Sequence, residues 1–150
     1  MNRRFGAWPD PGRRYRPRPG VYAVIVAAGG VLVTFQETPR PEFQLPGGGI
    51  DPGEATLPAL HREVREETGY TLHAPRRLGM FHRHTFMPEY DRWAHKLCHV
   101  YLARLGRRLG PPSEPGHWAV VLSWDEAGAR LAVSGDRYFL EKAARLTGHG

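Results

Sequence analysis

Two apolar, β-branched runs stand near the start of the chain, Val21–Ala27 and Val31–Phe35, with Gly29 and Gly30 between them. Runs of this length joined by a two-glycine turn predict an antiparallel hairpin in a central sheet. A shorter run, Glu42–Leu45, then leads the chain into a glycine-rich loop. The pattern therefore predicts a strand pair that feeds a loop.

Apolar residues after this loop recur at helical spacing. Leu57, Leu60 and Val64 are three and four residues apart, which predicts a helix with these side chains on its core face. Pro58 lacks an N–H and is tolerated only in a first turn, so we expect the helix to begin between about Ala55 and Leu57.

The remaining pattern predicts further strands and two short helices. Gly69 stands where a helix C-terminal stop is expected. We predict strands over Tyr70–His73, Arg77–Phe86, Lys96–Arg104 and Trp118–Trp124, and helices over Asp125–Leu131 and Arg137–Leu146. Strands and helices alternate irregularly, so the pattern alone predicts an α/β chain.

Length and composition narrow the class of protein. The chain has 150 residues, the size of one domain, and is 41% hydrophobic. Its longest apolar run, Val21–Ala28, is far shorter than the roughly 20 residues that span a bilayer. Cys98 is the single cysteine, which excludes an internal disulfide framework. We expect a soluble, cytoplasmic protein without a membrane partner.

Positive charge is concentrated at the N-terminus. The formal net charge is +6, and residues 1–20 carry six arginines against Asp10, leaving 15 basic and 14 acidic groups in the other 130 residues. The rest of the chain therefore lacks the bulk basic character of a duplex-binding protein.

The basic segment is rich in proline and glycine as well as arginine. We expect residues 1–20 to form an extended or mobile N-terminal extension that holds no central strand, and residues 21–150 to form the folded domain. A solvated leader with no apolar face to bury is the main interpretation. An arm that touches RNA or a membrane surface is the alternative.

Three glutamates, Glu63, Glu66 and Glu67, share one face of the predicted helix, with Cβ atoms about 5–6 Å apart. Like charges at that distance raise one another's pKa unless a cation lies between them. Oxygen-only ligands suit Mg²⁺ or Mn²⁺ together with substrate phosphates. The spacing by itself also fits a solvated acidic face, and we expect all three side chains to point away from the core.

Neighbouring residues favour a binding site over a solvated face. The glycines before the helix lack side-chain bulk, so the backbone can approach a ligand closely. Arg62 precedes Glu66 by four residues and follows Glu54 by eight, so it can hold either carboxylate by charge-assisted hydrogen bonds. Glycines, arginine and acids at these offsets together indicate a metal-binding diphosphate site.

The full segment reads Gly48-x5-Glu54-x7-Arg62-Glu63-Val64-x-Glu66-Glu67-x-Gly69-Tyr70. It resembles the pattern that defines the Nudix hydrolases, and every fixed position is occupied. The resemblance extends, in element order, from about Val21 to Leu146. It implies an α/β/α sandwich with a mixed central sheet.

The resemblance also implies a reaction and a set of roles. The reaction is attack of a metal-activated water on a phosphorus of a nucleoside diphosphate linked to another group. Residues that correspond to the family's metal ligands are Glu63, Glu66, Glu67 and the carbonyl of Gly47, with Mg²⁺ or Mn²⁺ as the cofactor. Arg62 and Glu54 correspond to the residues that position them.

A carboxylate must take the proton from the attacking water. We favour Glu66 or Glu67 for this role. Some members of the family use an acidic residue from a later loop instead, and Glu114 in the loop Gly110–Gly116 is the candidate here.

Candidate substrate contacts are side chains that can hydrogen-bond a phosphate or stack on a base: His82, His84, Tyr90 and Trp93. His82 and His84 alternate on one predicted strand, as His95 and His99 do on another. A histidine metal site is disfavoured because no cysteine quartet or helical histidine motif accompanies them. Pocket lining or ordinary surface positions remain as interpretations.

The resemblance limits the substrate only in part. Leu45-Pro46-Gly47-Gly48 is similar to the nucleotide-sanitising and general nucleoside-diphosphate branches. The branch acting on capped RNA ends and diadenosine polyphosphates usually carries a glutamine in place of one loop glycine, so that branch is disfavoured. A small-molecule nucleotide is the expected partner. The alternative function is a catalytically silent Nudix-fold module that senses a nucleotide. The oligomeric state is open, with a homodimer as one option.

Overall fold

The computed structural model describes residues 3–149. The strands in this range are β1 (Arg3–Arg4), β2 (Arg16–Ala27), β3 (Gly30–Gln36), β4 (Glu42–Gln44), β5 (Gly47–Gly49), β6 (Tyr70–Met87), β7 (Arg92–Arg108) and β8 (His117–Leu122). The helices are α1 (Thr56–Thr68), α2 (Trp124–Arg130) and α3 (Ser134–Thr147), with a short 3-10 turn at Pro88–Tyr90. No helix in residues 3–149 has the length and apolar character needed to cross a bilayer.

The strands form one mixed sheet, as expected. Its order is β1-β6-β7-β2-β3-β4, with β5 paired to β2 and β8 paired to β3. The predicted hairpin is present as β2 and β3, and its turn uses Gly29 at a φ of 84°. Two pairs are parallel, β1 with β6 and β2 with β7, and the others are antiparallel.

Helices cover both faces of the sheet, which confirms the expected α/β/α sandwich. Alternate residues of β2 point to opposite faces. Val21, Ala23 and Ile25 pack with α1 in one apolar cluster, and Val24 packs in the other cluster with α3, for example with Phe139.

Helix α1 begins and ends as predicted, but its buried face differs from the predicted one. Gly69 ends the helix at a φ of 77°, and its N–H donates to the Arg65 carbonyl at 2.8 Å. Leu57 is 41% exposed rather than buried, whereas Ala59 and Leu60 are fully buried. Glu67, expected to point outward, lies seven residues after Leu60 and so shares the buried face.

Strand β6 unites two segments that were predicted as separate strands. Residues 70–87 pair with β7 throughout, with register shifts between Tyr70 and Leu72, between His73 and Arg76, and between Arg77 and Gly79. These irregularities interrupt the period-2 pattern, which is why the sequence suggested a break.

The N-terminal segment is part of the sheet, so the expectation that residues 1–20 hold no central strand is wrong. Strand β2 begins at Arg16 and runs unbroken past position 20, with Arg16 paired to Ala94 of β7. Pro17 and Pro19 are tolerated because this end of β2 lies beyond its pairing with β3, so it needs fewer N–H donors.

The same segment also buries apolar surface, so it is not only a solvated leader. The Phe5 ring meets Phe81 edge to face at a centroid distance of 5.5 Å and lies 5.5 Å from the Tyr138 ring. Phe81 is fully buried in the core. Phe5 therefore closes one end of the core between β6 and α3.

We expect Phe5→Ala to lower the free energy of unfolding by about 1–2 kcal/mol, since Phe5 is only partly buried and full burial of such a ring contributes about 1.5–3 kcal/mol. Thermal denaturation should record a fall of several degrees in melting temperature. Trp8→Ala is the matched control, because Trp8 is 79% exposed. Equal, small effects of the two substitutions would contradict the packing role of Phe5.

Candidate active site

Strand β5 brings the glycine segment against β2. Gly47 pairs with Tyr22 and Gly48 with Val21. Gly47 has a φ of 147°, and a Cβ there would overlap the backbone of Val21 and Tyr22. Only glycine permits this approach. The result is a short backbone wall beside Arg62, Glu63 and Glu67, in the C-terminal half of α1.

Arg62 is the centre of the network that joins this wall to the helix. Its Nε and Nη2 donate to the two oxygens of Glu54, each at 2.8 Å, and Nη2 also donates to the Gly49 carbonyl at 3.0 Å. Its Nη1 lies 3.0 Å from Glu63 Oε1 and 3.3 Å from Glu66 Oε2. One planar guanidinium therefore orients three carboxylates.

Glu54 is held from two sides. Its Oε1 also accepts the Asp51 N–H at 3.0 Å, which closes the loop before the helix. The hydrogen bonds from Arg62, followed by the one from Asp51, lower the pKa of Glu54 to about 2, and the same pairing raises the pKa of Arg62. The pair thus stays charged across the physiological range.

Glu63 lies directly against the glycine wall. A Cβ at Gly48 would overlap the Glu63 carboxylate, so the motif glycine leaves room for this side chain. Burial raises the pKa of Glu63 despite the opposing hydrogen bond from Arg62. Glu66, at the next turn, is more exposed, with 38% of its side-chain surface accessible.

Glu67 is the most buried of the three helix glutamates, with 13% of its side-chain surface accessible. Its Oε1 accepts the Gly47 N–H at 2.9 Å, and its Oε2 lies 3.3 Å from His117 Nε2. Burial raises the pKa of Glu67 to about 8, against the opposing hydrogen bond from Gly47. A carboxyl group that titrates near neutrality suits proton transfer.

His117 was missed by the sequence reasoning. It begins β8, fifty residues after Glu67, and only the pairing of β8 with β3 brings it to the site. No local motif marks this position.

The loop before β8 brings Glu114 to the same place. The N–H groups of Ser113 and Glu114 both donate to the Glu66 carbonyl, at 2.9 and 3.0 Å, so the loop is fastened to the end of α1. Glu114 lines the cleft that the helix glutamates line. Its role remains a prediction.

The cleft has a volume of about 810 Å³. Its walls comprise the β5 glycines, the glutamates 63, 66, 67 and 114, His117, Arg18, Tyr90 and Lys96. The Arg18 guanidinium lies 4.8 Å from the centroid of the Tyr90 ring. Tyr90 lies at the cleft, and its contact with a substrate remains a prediction.

The other three predicted substrate contacts do not line this cleft. His82, His84 and Trp93 project from the face of β6 and β7 opposite to Lys96, because side chains alternate along a strand. His82 Nδ1 lies 2.8 Å from His95 Nε2, and the rings of His84 and His95 stack at 4.4 Å.

This histidine cluster lies beneath the N-terminal segment. Tyr15 packs edge to face on His84 at 4.7 Å, and the Arg13 guanidinium lies 3.7 Å from the centre of the Trp93 ring. Burial, followed by the charge of His95, lowers the pKa of His84. These residues serve the packing of the segment and give no route to a substrate in the cleft.

The donors in the cleft suit a hard cation. They are carboxylate and backbone oxygens, the ligands that Mg²⁺ and Mn²⁺ take. In the part of the chain that the structure describes, no three acidic, histidine or cysteine side chains converge as a ready-made metal site. Glu63 and Glu66 instead contact Arg62, and Glu67 contacts Gly47 and His117.

The layered mixed sheet, the glycine wall, the arginine-centred network and the acidic helix together define a recognisable class of α/β protein. A NUDIX domain model matches residues 16–143, and the chain belongs to the NUDIX family.

Solved structures have the same fold. A NUDIX hydrolase from Nitrosomonas europaea aligns with a TM-score of 0.69 at 22% identity, covering 88% of this chain and 90% of that one. A MutT NUDIX hydrolase from Burkholderia pseudomallei aligns with a TM-score of 0.65 at 25% identity, covering 84% of this chain and 97% of that one.

Curated relatives match over shorter stretches. A Bacillus subtilis protein with the provisional name 8-oxo-dGTP diphosphatase is 31% identical over 70 residues, 47% of this chain and 47% of that protein. An RNA pyrophosphohydrolase from Cereibacter sphaeroides is 43% identical over 63 residues, 40% of this chain and 38% of that protein. The chain thus spans less than half the length of these two relatives.

Proposed function

We propose that this protein hydrolyses the pyrophosphate bond of a nucleoside diphosphate linked to another group, with Mg²⁺ or Mn²⁺ as cofactor. The observation that carries the proposal is the Arg62 network, which holds Glu54, Glu63 and Glu66 beside the glycine wall of one cleft. Family membership and the names of the curated relatives support the same type of reaction.

Glu63, Glu66, Glu67 and the Gly47 carbonyl would hold the metal ion. When bound, the ion neutralises phosphate charge and lowers the pKa of water. Arg62 is the positioning residue, since it fixes Glu63 and Glu66 and ties them to Glu54.

Glu67 is the favoured proton acceptor in this proposal. It is the most buried of the three helix glutamates, and burial raises its pKa, which makes the ionised carboxylate a stronger proton acceptor than an exposed one. Glu66 is the second choice because it is more exposed. Glu114 is the third, placed at the cleft by the loop that is fastened to α1.

Small nucleotides are the first substrate class to test, and 5′-triphosphorylated RNA is the second, favoured by the relative named RNA pyrophosphohydrolase. The test is product identification after incubation with nucleoside triphosphates, an oxidised guanine nucleotide, nucleotide sugars and 5′-triphosphorylated RNA, each with Mg²⁺ or Mn²⁺. If the protein binds compounds of the panel but forms no product from any of them, the proposal is wrong and the protein is a catalytically silent module that senses a nucleotide.

The metal proposal predicts a pH-dependent melting temperature. Burial raises the pKa of Glu67 from about 4.5 to about 8 and also raises that of Glu63. Stability from a raised carboxyl pKa is present below the unfolded value and is lost as pH rises through the folded value. The metal-free melting temperature should therefore fall between about pH 5 and 8, more steeply than in Glu67→Gln.

A divalent ion should reverse this loss near pH 7.5. An ion that binds only the folded state contributes about 2.7 kcal/mol at a hundredfold excess over Kd, which is several degrees for a domain of this size. The gain should shrink in acid as protons compete for Glu63 and Glu67. An equal gain in the double variant Glu63→Gln, Glu67→Gln would show that the ion binds elsewhere.

A further inference from the structure

Two cationic side chains, Arg83 and Lys96, lie next to each other on the sheet, in a cavity adjoining the catalytic cleft. Arg83 on β6 and Lys96 on β7 are cross-strand partners, so their side chains leave the same face at adjacent positions. Like charges directly opposite one another destabilise an antiparallel pair. Burial, followed by the charge of Arg83, lowers the pKa of Lys96. Holding both charges here therefore opposes folding.

The protein does not neutralise this pair by direct contact. Within residues 3–149, neither Arg83 nor Lys96 has a carboxylate oxygen within 4.0 Å. Glu42 lines the same cavity, but its Oε1 accepts the Gln44 amide at 2.6 Å. Asp136 lies deeper, 4% exposed, and Glu89, in the exposed turn before β7, also lines the cavity.

The pair borders a space that opens toward the catalytic residues. Arg83 and Lys96 line a polar cavity of about 230 Å³. Gln36, Gln44 and Lys96 line both this cavity and the catalytic cleft. A substrate held at the glycine wall can therefore extend to the two cations without leaving the protein surface.

We infer that Arg83 and Lys96 bind a second phosphate group of the substrate, carried on the moiety beyond the pyrophosphate bond that is cleaved. This inference rests on the proposed function for its substrate class. It assigns specificity for diphosphates whose attached group bears its own phosphate.

The chemistry of the two side chains matches this ligand. A guanidinium presents a planar fork to two phosphate oxygens, and an ammonium adds a point charge. A bound phosphate places negative charge between the cations and removes the repulsion that the cross-strand pair creates. An uncharged sugar or base in the same cavity would leave that repulsion in place.

A binding test in metal-free buffer separates this inference from catalysis. With EDTA present, inorganic phosphate should raise the melting temperature of the wild-type protein, and the increase should be largely lost in Lys96→Met and Arg83→Gln. Arg104→Gln is the matched control, since Arg104 is an exposed cation on the same strand as Lys96. Without phosphate, Lys96→Met should melt above the wild type, because the repulsion is relieved.

Pairs of compounds test whether the bound phosphate is one carried by the group attached to the diphosphate. NADP⁺ and NAD⁺, and coenzyme A and dephospho-coenzyme A, each share a diphosphate and differ by one phosphate elsewhere. Each compound is tested as a competitor of the substrate that the protein hydrolyses, or as a substrate itself. The member of each pair with the extra phosphate should inhibit about 10-fold more tightly, or have an about 10-fold lower KM. Lys96→Met should abolish the difference, and Arg104→Gln should preserve it.

Three outcomes would overturn the inference. Phosphate stabilisation that persists in Lys96→Met places the anion elsewhere. A lower melting temperature of Lys96→Met without phosphate shows a structural ion pair with Asp136. Equal weakening of both members of each pair shows that Lys96 binds the scissile diphosphate instead. If the wild-type protein hydrolyses none of the substrates but phosphate still raises its melting temperature through Lys96, the result counts against the proposed function alone.

Discussion

We expect Glu67→Gln to lower kcat by at least about 100-fold while the fold is retained, the scale of losing a general base. Glutamine keeps the shape of the side chain and can still accept the Gly47 N–H, so the buried contact at 2.9 Å survives. It cannot take a proton. The measurement is steady-state hydrolysis of the substrate found in the nucleotide panel, with circular dichroism to confirm folding.

Glu141→Gln is the matched control for this prediction. Glu141 is an exposed carboxylate on α3 that does not line the cleft, so its loss should change kcat by less than about twofold, as for an ordinary surface change. The double variant Glu66→Gln, Glu67→Gln removes both favoured proton acceptors at once. An active double variant would transfer the proton-accepting role to another group, with Glu114 the next to test.

Gly48→Ala should lower activity by about 100-fold with little loss of stability. The added methyl group would occupy the position of the Glu63 carboxylate, and that flexible side chain can swing away into the cleft. The backbone at Gly48 needs no left-handed conformation, so alanine adds no backbone strain. A catalytic group displaced by about 1 Å can cost 100-fold in rate.

Gly49→Ala supplies the comparison for Gly48→Ala. A Cβ at Gly49 has the Arg18 Nη2 at 3.8 Å as its nearest contact, which is ordinary van der Waals separation. We expect activity within about threefold of the wild type. Similar losses at both positions would mean that general loop rigidity, rather than space for Glu63, explains the requirement for glycine.

The sequence predicted those features whose causes are local. The hairpin follows from two β-branched runs around Gly29, and the limits of α1 follow from Pro58 and Gly69. The contacts of Arg62 with Glu54 and Glu66 were expected from their spacing.

What the sequence did not predict depends on residues far apart in the chain. His117 reaches Glu67 only because β8 pairs with β3. His82 and His84 were only candidates for substrate contact, because alternation along a strand shows that two side chains share a face of the sheet but does not show what covers that face. Glu67 could have been recognised as buried, since it stands seven residues after Leu60, but its charge favoured the outward interpretation.

The parallel pairing of β2 with β7 has a consequence for how the chain reaches this structure. Arg16 pairs with Ala94, which lies 78 residues further along. Contacts between such distant residues require a large loop to close before they stabilise anything, which slows folding. During synthesis, β2 leaves the ribosome long before its partner, and its apolar residues Val21–Ala27 lack that partner until β7 emerges. The arginines and prolines at its N-terminal end are residues that discourage edge-to-edge association of such a strand in the interval.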